Sequence, residues 1–170
     1  MLRFFDDPLL TLTKALLRIS YGLLFFLAAV LLIIAVGVAI VTLTGYQSPF
    51  AEAAPADRTS YLLVLMLAPP MLAIFGWFLR VLEQIVATVA AGDPFVPRNA
   101  ERLNRMAWLM LALKALVLVQ DPVINAIFDH SVRSPFHYPN PSLLFPLTLF
   151  ILARVFRQGT AMREDLEGTV

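Results

Sequence analysis

Few side chains in this chain of 170 residues could do chemistry, and they fall in four places. Lys114 stands inside an apolar stretch. A cation at mid-membrane depth costs about 2.5–3.5 kcal/mol on insertion scales, so it should face protein rather than lipid. It reads as a structural donor to backbone or polar groups, as a ligand-facing cation, or as a proton-linked site. Pro69 and Pro70 form the second place. Two adjacent prolines remove two N–H donors and free the carbonyls near Leu65 and Met66, which something must cover in lipid. Those carbonyls are one candidate partner for Lys114. The prolines read as a kink packed against neighbouring helices, or as a hinge or the wall of an internal site. Asp121 lies on the same helical face as Lys114, but a direct pair would have to bridge about 10 Å along the axis. Third, Asp129, His130 and His137 could meet on a loop. Their spacing has no i, i+4 logic and no Cys or H-E-x-x-H companion, so they read as loop residues rather than a metal site. Fourth is Gly92–Arg102, which combines a turn glycine, two prolines, an aromatic and a run of charges. These are the means of holding a defined shape in water.

Other chemistry is missing. With no cysteine, disulfides, thiol catalysis, iron–sulfur clusters and Cys-type zinc sites are excluded. No Gly-rich phosphate loop, G-x-S-x-G elbow or Ser/His/Asp constellation is present. The expectation is a non-enzyme without a cofactor.

The elements that must position these residues are apolar. The chain is 59% hydrophobic and 15% charged, with mean hydropathy +0.78, against about 45–50% and about 25% in soluble domains. Membrane helices are expected at about 20–43, 61–79, 106–121 and 141–156, since crossing a hydrocarbon core of about 30 Å takes about 20 residues. The third and fourth are short and draw on their flanks. The first is too long for a signal-peptide core, so it reads as an uncleaved helix. Ten basic residues sit in the N-terminal arm, the 80–105 loop and the tail, against Arg58 and Arg133 in the loops at 45–60 and 120–140. The positive-inside rule then makes the 80–105 loop and both termini cytoplasmic and the other two loops external. The fold expected is all-α, an integral membrane four-helix bundle forming one domain over 1–170.

Finer expectations follow. Asp7 and Pro8 open a helix whose Leu9, Leu12 and Leu16 either lie along the interface or simply begin helix one. The second helix should run past the membrane to Ala91, with Val81, Leu82, Ile85 and Val89 on one face, and stop at Gly92. Asn99 is the expected N-cap of the third helix, and Trp108 marks headgroup depth. Ala35, Gly37 and Ala39 allow close helix packing or are ordinary membrane-helix composition. The end Thr169-Val170 reads as a dangling terminus.

Gly92-Asp93-Pro94-Phe95, Asn99-Ala100-Glu101-Arg102-Leu103, Ala153-Arg154-Val155-Phe156-Arg157-Gln158-Gly159 and Arg163-Glu164-Asp165-Leu166-Glu167-Gly168-Thr169-Val170 together resemble the DUF2975 family of small bacterial four-helix membrane proteins. The resemblance covers the whole chain and carries no catalytic residues. It implies a bacterial inner-membrane protein whose partner is a cytoplasmic helix-turn-helix regulator, without direct nucleic-acid binding by this chain. The leading functional expectation is a regulatory or sensor-like protein whose loop and tail form one cytoplasmic face, with Asp93, Phe95, Arg98, Asn99, Glu101, Arg102, Arg163, Glu164 and Asp165 as candidate partner-binding residues. The alternative is a small transporter or ligand-binding membrane protein built on Lys114 and a Pro69-Pro70 helix break. A structural subunit of a larger complex is the third reading. Besides the bilayer and a regulator, a second copy is an open partner.

Overall fold

A computed structural model of the chain describes residues 8–44, 55–127 and 143–167. These residues are all-helical, without strands: α1 (Pro8–Leu43), α2 (Pro55–Ala90), α3 (Pro97–Ile127) and α4 (Leu144–Glu167). Proline opens three of the four, at the position where its fixed φ suits the helix and its missing N–H loses nothing. Three helices are long and apolar enough to cross a membrane: Pro8–Leu43, Thr59–Ala90 and Pro97–Gln120. The expected fourth span is not among them. α4 carries its uncharged run only from Leu144 to Ala153, before a charged half that continues as helix to Glu167.

Several expected boundaries move. The N-terminal arm is the start of α1 rather than a separate element. α2 begins at Pro55, inside the expected loop 45–60. α3 runs through Pro122 to Ile127, past the expected end at 121. The apolar residues Val123, Ile124 and Ile127 continue its pattern, and one proline removes one ladder bond without changing that pattern. α2 continues through Pro69 and Pro70, so the break named in the transporter reading does not interrupt the element.

The chain divides into two compact units. The first gathers the described parts of Met1–Gly22, Phe75–Leu111 and Ser142–Val170. Its core is Phe78 and Val81 from α2, Leu103, Met106 and Ala107 from α3, and Leu149 and Ala153 from α4, with Leu79, Leu82, Ile85, Leu109, Met110, Phe150 and Phe156 against it. Within this unit Trp108 meets the Phe150 ring edge-on at 5.5 Å. Phe78 lies 6.2 Å from Phe145 and stacks on Phe75 at the same spacing. The second unit holds the described parts of Leu23–Ile74 and Ala112–Pro141. In it Ala28 and Ala35 of α1 are buried, whereas a side chain at Gly37 would meet open space. Of Ala35, Gly37 and Ala39, only Ala35 is fully buried.

Candidate functional site

The 91–96 loop is built by its backbone. The Gly92 N–H donates to the Val89 carbonyl at 3.0 Å and the Asp93 N–H to the Thr88 carbonyl at 3.2 Å, the paired bonds of a Schellman stop. Gly92 takes φ 84°, a left-handed backbone that any Cβ would strain. The two following prolines then keep the chain extended until Pro97 starts α3.

Asn99 is not the N-cap of α3. Pro97 takes the first helical position, and the Asn99 N–H already donates to the Val96 carbonyl at 2.8 Å. Its side chain is fully buried instead. Nδ2 donates to Thr88 Oγ1 at 2.7 Å and to the Pro94 carbonyl at 2.9 Å. Oδ1 accepts from Arg102 Nη1 at 2.9 Å, and the same Nη1 reaches the Gln84 carbonyl at 3.2 Å. The Thr88 hydroxyl in turn donates to the Ile85 carbonyl at 2.7 Å. One amide thus joins the end of α2, the loop and the first turn of α3.

The loop also holds α4. Arg163 Nη1 meets Asp93 Oδ1 at 2.5 Å, both side chains about half exposed. The Phe95 ring packs against Phe156 with centroids 5.4 Å apart. Gly159 lies under the same ring, where an added Cβ would sit 3.4 Å from two of its carbons. Further down α4, Thr160 is buried and donates to the Phe156 carbonyl. α1 joins this unit through Arg18 Nη2, which donates to Glu83 Oε1 at 2.7 Å.

The sequence-predicted residues therefore divide. Asp93, Phe95 and Arg163 make the loop–α4 contact, while Asn99 and Arg102 are committed to internal bonds. Arg98, Glu101, Glu164 and Asp165 are exposed. Glu83, Thr88, Gly159 and Thr160 escaped the sequence reading. The partners of Thr88 and Glu83 lie 11 and 65 residues away, so no local signal in the sequence marks them. In the second unit Lys114 is half-buried, Pro69 is buried and Pro70 is exposed. Asp129, His130, His137 and the terminal Gly168–Val170 lie outside the described residues, as does the Asp121 side chain. Comparison with known proteins finds no matching family model, no matching curated sequence and no matching solved structure.

Proposed function

We propose that this chain is a multi-pass bacterial inner-membrane protein of regulatory or sensor type, whose loop and α4 end form one cytoplasmic docking surface. The observation that carries this reading is the joining of the loop to α4 by Asp93–Arg163 and by Phe95 on Phe156 and Gly159. An exposed rim of Arg98, Glu101, Glu164 and Asp165 belongs to the same two segments. Mixed charge of this kind suits a protein partner and steers its approach. A loop fixed by a buried amide and a Schellman stop also loses little freedom on binding. The partner class is the one implied by the DUF2975 resemblance, a soluble helix-turn-helix regulator held or released at the membrane. The basic bias of the loop and both terminal segments supports their cytoplasmic placement.

The test is in-cell photocrosslinking from Glu101 and Glu164. The expected product is a covalent adduct with a helix-turn-helix protein. It should weaken in Arg163→Asp and return when Asp93→Arg restores the pair with reversed charges. Absence of a protein adduct from both positions, with normal membrane levels of the chain, contradicts the proposal.

A further inference from the structure

We infer that the first unit carries a girdle of arginines that binds the headgroups of acidic phospholipids. Its core occupies 78–85 of α2, 103–110 of α3 and 149–156 of α4. Outward from those same turns stand Arg80, Arg105 and Arg154, one from each helix and all exposed. Among the described residues none of the three is paired with a carboxylate. Arg18 of α1 reaches the same layer through Glu83, and its side chain is still 69% exposed.

Each of these arginines has an aromatic residue one turn away. Trp77 precedes Arg80 by three residues, and Trp108 follows Arg105 by three. Thr88 meets Asn99 and Gln84 meets Arg102, so α2 and α3 run antiparallel here, and both tryptophans lie on the side of their arginine away from the loop. The same order holds for Tyr21 beside Arg18 on α1 and Phe150 beside Arg154 on α4. Trp77 and Trp108 are 51% and 61% exposed. Ile151, Leu152 and Val155 are exposed between and around the charges on α4.

An outer surface with this pattern suits neither open water nor hydrocarbon. Exposed indoles and branched aliphatics favour acyl chains and the headgroup boundary, where tryptophan and tyrosine form belts. Arginine lays its stem along apolar surface and lifts its guanidinium to the polar side. The planar guanidinium matches a phosphate bidentately. Three guanidiniums without a carboxylate partner at one depth, two of them one turn from an exposed indole and the third among exposed Ile151, Leu152 and Val155, make acidic phospholipid the occupant that satisfies both halves of the surface. This inference rests on the membrane placement and is independent of any regulatory partner.

The two tryptophans of the chain are Trp77 and Trp108, so their fluorescence reads the girdle directly. The full chain is reconstituted in mixed phosphatidylglycerol–phosphatidylcholine vesicles, with the brominated acyl chains carried by one lipid or the other. At equal mole fraction, brominated phosphatidylglycerol should quench more strongly, giving a relative binding constant above one. That preference should fall roughly fivefold for each arginine changed to glutamine, until none remains. The triple variant Arg80→Lys/Arg105→Lys/Arg154→Lys should keep most of it. If the triple glutamine variant does not fold, the single Arg105→Gln decides, because that side chain points away from the core. Equal quenching by the two lipids in the unmodified chain overturns the inference, as does an undiminished preference in the glutamine variants.

Discussion

Asn99 is the residue on which the loop most depends, because its amide is fully buried and is used on both sides. Asn99→Ala strands the Pro94 carbonyl and one Arg102 donor, and leaving a buried group unpaired costs about 1–3 kcal/mol. The expected result is a clear fall in the apparent melting temperature in detergent, with faster hydrogen exchange across 92–99. Gly92 tests the backbone rather than the contacts, since a side chain there meets nothing within 4 Å. Gly92→Ala should destabilise by about 1 kcal/mol through its left-handed φ. Gly92→Asn should destabilise less in the same thermal assay, because Asn tolerates that region better. Gly92 was legible as a helix stop because glycine after an apolar helical run is a local signal. The role of Asn99 was not legible. A local cap rule placed it one step outside the helix, whereas Pro97 holds the entry position and the true partner, Thr88, is on another helix.

Between elements, two ion pairs of different burial should behave differently. Glu83 is nearly buried and Arg18 is largely exposed. Arg18→Ala leaves the nearly buried Glu83 carboxylate without its arginine and should lower the melting temperature. Glu83→Gln keeps a hydrogen-bonding group in place and should destabilise less, as comparison of the two melting temperatures would show. Arg163→Ala breaks a half-exposed pair and should change stability by less than about 1 kcal/mol. Gly159→Leu acts through volume instead. Phe95 already lies in contact with the position of an added Cβ, so a larger side chain should displace the ring and raise hydrogen exchange at 92–96. Helix identity was readable from apolar length and period; the joining of the arm to α1 was one of two readings, and the continuation of α4 past 156 to Glu167 was missed because its charged half carries no apolar run. The ends of α2 and α3 were misplaced because Pro55 and Pro122 read as loop signals although the flanking residues continue the helix. Pairings such as Arg18 with Glu83 carry no signal in one sequence, since only packing brings residues 65 apart together.

At the scale of the whole molecule, the described helices supply three candidate spans and a fourth helix whose apolar half is shorter than a bilayer core. From Tyr21 to Leu43, α1 extends roughly 33 Å, and from Trp108 to Ile127, α3 extends roughly 29 Å, both near the thickness of the hydrocarbon. From Leu144 to Arg154, α4 covers only about 15 Å. The contacts Arg18–Glu83 and Asp93–Arg163 gather the start of α1, the loop and the end of α4 into one unit. The proposed function requires all three to face the cytoplasm. Because the chain contains no cysteine, single introduced thiols report this without background. Leu9→Cys, Glu101→Cys and Glu164→Cys are labelled with a membrane-impermeant maleimide in spheroplasts and in inverted membrane vesicles. The account predicts labelling of all three in inverted vesicles and protection of all three in spheroplasts. Labelling of Glu164→Cys from the side opposite to Glu101→Cys would contradict the shared surface and, with it, the proposed function.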